Sequence, residues 1–270
     1  MYDRLKVGAI FSDYDGTLSF FDADRDSALI PLPLYETVRR ISKIVPFCVI
    51  STKTIGYLEQ KMDFCSAIAG IGGLEYRIND RMNATRAPAY KKKSLDLMFK
   101  YALSTTNNMN GIILEEKRTT ADELLGFTVD WRLSKNWDHY KNAMRPLLQK
   151  STKEGLAVIT YRDHPFFDVY VTKPDKGKAL QKLKRELKIK YKILYLGDSE
   201  NDNPAFEKSD ISVGITRKEV KPFLKCEYLL HYKKLNLFLK RLVQNKMVFD
   251  PVLLQLNRNS SYERKYSKIK

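Results

Sequence analysis

Asp13 and Asp15 stand two residues apart directly after the apolar run Val7 to Phe11, in the string Asp13-Tyr14-Asp15-Gly16-Thr17. Residues i and i+2 of a strand point the same way, so the two carboxylates can converge on one site where Gly16 and Thr17 turn the chain. Such a pair can hold a hard cation and do nucleophilic or acid–base work. Asp and Gly are also ordinary turn residues, and the string alone fits a polar strand exit equally well.

Three further segments weigh toward chemistry. Gly197-Asp198-Ser199-Glu200-Asn201-Asp202 closes a second apolar run, Ile193 to Leu196, and again places carboxylates just past a strand. A third run, Phe47 to Ile50, ends in Ser51-Thr52-Lys53, and Lys176-Gly177-Lys178-Ala179-Leu180 sets a lysine at the start of a helix. Ligand sites of open α/β sheets gather at the carboxyl ends of strands, so these segments can face one crevice. Carboxylates, a hydroxyl and a lysine are the inventory needed to grip a phosphoryl group through a hard cation.

These four motifs, in their order along the chain (Asp13, Ser51, Lys176, Asp198), resemble those of the haloacid dehalogenase-like phosphohydrolases, and the resemblance covers most of residues 5 to 232. It implies that Asp13 is a nucleophile that becomes an aspartyl phosphate, and that Asp15 protonates the leaving oxygen and later activates water. It implies magnesium held by Asp13, the backbone carbonyl of Asp15 and Asp198, with Asp202 completing or orienting the shell. Ser51 and Lys176 would hold the transferring phosphoryl oxygens. Thr17, Thr52, Lys53 and Asn201, within the same motifs, are counted as substrate contacts. The residue types suit the chemistry, because phosphoryl transfer builds charge on three equatorial oxygens and catalysis comes mostly from positioning and cationic stabilisation.

Alternating apolar strands and amphipathic helices predict a doubly wound, Rossmann-like α/β parallel sheet. Strands are expected at Val7 to Ser12, Phe47 to Ile50, Ala67 to Ile71, Ile193 to Leu196 and Ile211 to Ile215, with a hairpin strand at Glu75 to Ile78. Helices are expected at Leu34 to Lys43, Gly56 to Met62, Lys176 to Leu187, Asn203 to Lys208 and Lys233 to Val243. Between the second and third motifs the rhythm changes: strands at Gly111 to Glu115 and Leu125 to Trp131, one helix at Trp137 to Lys150, and a hairpin of Leu156 to Tyr161 with Phe166 to Thr172. This gives a catalytic core of residues 1–85 plus 174–246, an inserted α+β cap at 86–173 and a C-terminal tail at 247–270, whose apolar start Val248 to Leu256 reads as a docked turn.

Composition bounds the rest. The 270 residues are 43% hydrophobic and 30% charged, a globular mixture able to build one sizeable core and a small second domain. Three scattered cysteines make no disulfide framework or zinc pair, and His139, His164 and His231 lack metal or triad spacing. With no apolar signal segment and no long apolar run, the chain is expected to be cytoplasmic, with no membrane partner. The net charge of +16 could serve nucleic-acid binding, but the lysines are dispersed over several segments without an aromatic-basic stripe. A solvated basic surface without a specific nucleic-acid partner is the reading adopted, and a basic binding protein with an idle phosphatase fold is the alternative.

Within the cap, Leu114-Glu115-Glu116-Lys117 and Val129-Asp130-Trp131-Arg132 resemble the pattern of trehalose-6-phosphate phosphatases. That likeness implies that Glu115, Lys117 and Arg132 hold a sugar, with Asp168 in the place of a substrate-binding glutamate. Directional donors and acceptors suit a polyol. The chain departs from that pattern at Ser51-Thr52-Lys53, where those enzymes show Ser-Gly-Arg, and its stretch Gly197 to Pro204 is closer to mannosyl-3-phosphoglycerate phosphatases. A sugar-phosphate phosphatase follows, with trehalose 6-phosphate as the expected substrate; another sugar phosphatase or a phosphomutase could use the same site.

Overall fold

The computed structural model describes residues 5–20, 29–161, 164–217 and 223–254. The chain runs β1 (Leu5–Ser12), α1 (Leu32–Ser42), β2 (Phe47–Ile50), α2 (Ile55–Lys61), β3 (Ala67–Gly70), β4 (Glu75–Ile78) and β5 (Arg81–Ala84). It continues through α3 (Ala89–Thr106), β6 (Ile113–Arg118), β7 (Leu124–Asp130), α4 (Trp137–Ala143), α5 (Arg145–Lys153), β8 (Ala157–Thr160) and β9 (Phe166–Tyr170). Then come α6 (Lys176–Glu186), β10 (Lys192–Gly197), α7 (Asn203–Phe206), β11 (Ile211–Thr216), β12 (Tyr228–His231), α8 (Tyr232–Gln244) and β13 (Val248–Phe249).

The larger sheet has the order β12-β11-β10-β1-β2-β3-β4-β5. From β12 to β3 every neighbouring pair is parallel, and β4 and β5 extend the sheet antiparallel. Apolar residues alternate to opposite faces along each strand. Ile10, Val49, Ile68 and Leu194 pack with α1, α2 and α8, while Ala9, Phe11, Ile50 and Tyr195 pack with α6 and α7. The chain leaves β1 toward β2 on one side and later returns as β10 on the other. The crevice of a doubly wound sheet opens at this reversal, beyond the carboxyl ends of the strands.

Residues 113–170 supply a separate antiparallel sheet of order β6-β7-β9-β8. One face carries Leu125, Phe127, Val129, Phe167 and Val169, which pack with Leu95, Met98 and Ala102 of α3 and Leu147 of α5. The opposite face is polar. Register rows Glu115-Thr128-Asp168 and Lys117-Gly126-Tyr170 place these residues side by side on it.

Several elements differ from the sequence expectation. The single helix expected over Trp137 to Lys150 is two, broken at Met144, because Pro146 starts a new helix and its ring cannot follow a continuing one. Helix α3 went unread: only Leu95, Met98 and Ala102 are buried, and exposed Leu97 and Leu103 blur the apolar stripe. Strand β5 is exposed along its whole length and exists through its pairing with β4. Val248 and Phe249, read as a turn, pair antiparallel with β1, and the remainder of the tail from 255 lies outside the described residues. Among the described residues, no helix is long and apolar enough to cross a membrane.

Candidate active site

Strand β1 lies between β10 and β2, with Ser12 in register with Leu196 and Val49. Asp13 extends the ladder one step, its N–H donating to the Leu196 carbonyl at 2.9 Å. The Tyr14 N–H then donates to Asp13 Oδ1 at 2.8 Å, which orients the carboxylate at the strand's end. Gly16 follows with φ +79°, and a Cβ there would lie 2.3 Å from Asp198 Oδ2. Only glycine allows both this left-handed backbone and the close approach of the Gly197–Asp202 segment.

Asp13, Asp198 and Asp202 are buried, and one oxygen from each lies within 4.8 Å of the others. Lys176, at the start of α6, reaches both ends of this cluster: Nζ is 3.0 Å from Asp13 Oδ1 and 2.7 Å from Asp202 Oδ1. Its helix is capped by Asp175, whose side chain accepts from the Lys178 N–H. Tyr195 OH donates to Asp202 Oδ1 at 2.7 Å, and the N–H groups of Asp198 and Ser199 donate to Asp202 Oδ2 at 3.0 and 3.1 Å. Asp202 therefore spends both oxygens on holding Lys176 and its own turn.

Burial pushes the Asp13 carboxyl well above the usual carboxylate range; Lys176 pulls it back, while Asp202, Asp198 and Asp15 add to the rise. Burial opposes charge on Lys176, but Asp13 and Asp202 outweigh it and hold the ammonium charged. Burial likewise raises the Tyr195 phenol, with Asp202 next in effect, so it remains a donor. Asp15 is half-buried on the turn beyond Asp13, with the Ser19 hydroxyl at 3.5 Å from its Oδ1.

The Ser51–Lys53 segment leaves the end of β2, the strand that pairs with β1. Ser51 is buried and its Oγ accepts from the Lys53 N–H at 3.2 Å. The Thr52 carbonyl accepts from Lys117 Nζ at 3.3 Å, and Glu115 Oε1 lies 3.5 Å from Lys117 Nζ and 4.0 Å from Lys53 Nζ. The expected pair of cap residues thus meets the core at the second motif. Glu75 adds a second junction, its Oε1 accepting from the N–H and hydroxyl of Thr120, both at 2.8 Å.

The other expected residues, Thr17 apart, have local partners. Asp168 is buried in the cap sheet and accepts from the hydroxyls of Thr128, Tyr161 and Tyr170. Arg132 donates through Nε to Asp130 at 2.7 Å and lies over the Phe166 ring. Neither set of contacts joins the core carboxylates. Asn201 accepts from the Ser199 hydroxyl, and the buried Thr17 hydroxyl has no hydrogen-bond partner among the described residues. Sequence reasoning passed over Tyr195 and Glu75. Tyr195 sits inside an apolar run and reads as core, and Glu75 reads as an ordinary strand residue, since its partner is 45 positions away.

Fold and site together define a class of protein: the chain belongs to the haloacid dehalogenase-like hydrolases, whose family profile matches residues 77–232. It is 25% identical over 225 residues to a protein of Arabidopsis thaliana named as probable trehalose-phosphate phosphatase E. That match takes in 73% of this chain and 58% of the plant protein, so the chain spans little more than half of that relative. Among solved structures, the C-terminal domain of a trehalose-6-phosphate phosphatase from C. albicans is 16% identical with a TM-score of 0.69, covering 89% of this chain and 93% of that one. A trehalose-6-phosphate phosphatase related protein is 15% identical with a TM-score of 0.68, covering 88% and 98%. A sugar phosphatase of HAD subclass IIB is 15% identical with a TM-score of 0.59, covering 89% and 100%. At these identities the solved structures speak to the fold, which they share over most of the chain.

Proposed function

We propose that the chain is a magnesium-dependent phosphatase that hydrolyses trehalose 6-phosphate through an aspartyl phosphate on Asp13. The observation that carries this reading is the buried contact of Asp13 with Lys176 at the carboxyl end of the central strand, next to Asp198. In this reading residues 86–173 form the cap over a core of 1–85 and 174–246, and the polar sheet face with Glu115 and Lys117 meets the sugar.

The donor set fits magnesium, since Asp13 and Asp198 bring buried carboxylate oxygens close together, and burial disfavours an ionised Asp13 unless further positive charge joins it. Asp13, Asp198 and the Asp15 carbonyl would hold the ion, with Asp202 orienting Lys176 and the turn. The ion would supply charge neutralisation at the transferring phosphoryl group.

The chain's own residues then divide the work. An oxygen of Asp13 attacks phosphorus as the bond from phosphorus to the sugar oxygen breaks, and Asp15 gives that oxygen its proton. Lys176 and Ser51 hold the equatorial oxygens and keep the group in line. Water next attacks the aspartyl phosphate and yields its proton to Asp15; phosphate leaves and Asp13 is restored. The test is phosphate release from a panel of sugar phosphates, including mannosyl-3-phosphoglycerate, with and without magnesium. Trehalose 6-phosphate should be cleaved with the highest kcat/KM, and only with the metal. Preference for another ester would replace the substrate, and turnover without metal would remove the magnesium role.

A further inference from the structure

Behind the turn that carries Asp15 lies a cluster that the mechanism above does not use. Arg217, directly after β11, donates through its guanidinium to the carbonyl of Ser19. Its Cζ stands 5.2 Å from the centroid of the Phe20 ring and 4.6 Å from that of Tyr232, and the two rings are themselves 5.0 Å apart. Tyr232 OH donates to the Leu18 carbonyl at 3.0 Å. His231 contacts the Arg217 carbonyl through Nε2 at 2.7 Å while its Nδ1 accepts from the Lys233 N–H, so its neutral form can donate to that carbonyl and cap α8 together.

These contacts converge on the three residues Leu18, Ser19 and Phe20. Ser19 is the one that faces Asp15: the two form an isolated bridge, and the Ser19 hydroxyl approaches Asp15 Oδ1 at 3.5 Å and the Tyr14 carbonyl at 3.3 Å. A guanidinium stacked on two aromatic rings is stiff and its fork fixes direction as well as distance. We propose that Arg217 is a positioning residue for proton transfer: by holding the Ser19 carbonyl from the end of β11, two strands from β1 on the same carboxyl edge of the sheet, with Tyr232 holding Leu18, it fixes where Asp15 presents its carboxyl to the leaving oxygen. Arg217 touches no reacting atom and acts through Ser19.

The inference rests on Asp15 being the general acid, and the test separates the two. Single-turnover cleavage, with enzyme in excess, is measured on trehalose 6-phosphate and on p-nitrophenyl phosphate, whose nitrophenolate departs without a proton. Arg217→Ala and Arg217→Lys should slow the sugar ester by about 10- to 100-fold, the scale of a misplaced catalytic group. First-turnover release of nitrophenolate should stay within about threefold of the parent protein. Tyr232→Phe should show the same pattern with a smaller loss. Arg217→Lys keeps the charge and a donor, so it decides the matter if the alanine variant does not fold. Equal losses on both esters, or no loss on the sugar ester, would overturn the proposal. An unmodified protein inactive on every ester would instead remove the phosphatase reading itself.

Discussion

The core and the cap each bury carboxylates, and they do so in opposite ways. In the core, Asp13, Asp198 and Asp202 crowd within 4.8 Å, and burial drives Asp13 upward against the pull of Lys176. In the cap, Asp168 accepts from three hydroxyls and Asp130 from the Arg132 side chain and N–H. Like charges so close together are costly unless positive charge joins them, whereas Asp168 is settled by neutral hydroxyls and Asp130 by a guanidinium of its own. The core arrangement suits a site through which charge passes. That of the cap suits a rigid, polar sheet face.

The comparison breaks first at Asp13. Asp13→Asn keeps the shape and loses the nucleophilic charge, so phosphate release should fall by at least about a thousandfold, or about 4 kcal/mol, with unchanged circular dichroism. A variant keeping a tenth of the activity would sink the covalent route. Next, EDTA should stop turnover and added magnesium restore it, because the crowded core carboxylates offer the oxygens of a hard-cation site.

Smaller effects belong to the cap. Glu115→Ala or Lys117→Ala should lower kcat/KM on trehalose 6-phosphate by about 1–3 kcal/mol while leaving p-nitrophenyl phosphate nearly unaffected. Equal losses on both would mean that Lys117 serves chiefly to hold the Thr52 carbonyl and with it the second motif. The smallest effect is expected at the other junction. Thr120→Val removes one of the two donors to Glu75 and should cost about 1 kcal/mol in denaturant unfolding, with kcat unchanged. No change in stability would place the whole contact on the backbone N–H.

Sequence alone was enough for the class of fold and for picking out residues that the structure gathers at one place. Asp13, Asp198 and Lys176 stand where local rules put chemistry, just past an apolar run or at the first turn of a helix, and the structure brings the three together. Strand Phe47–Ile50 was legible to the residue because Pro46 marks its start and the polar Ser51-Thr52-Lys53 its end. Tertiary structure decided the rest. The Ser199–Asp202 capping box is a local pattern, but that Lys176 and Tyr195 take the other Asp202 oxygen depends on partners up to 26 residues away. The Glu75–Thr120 junction and the contact of Arg217 with Ser19 link positions 45 and 198 residues apart. Local patterns carry the period of a strand or helix, but hydrogen-bond geometry between distant segments exists only once the two sheets have packed.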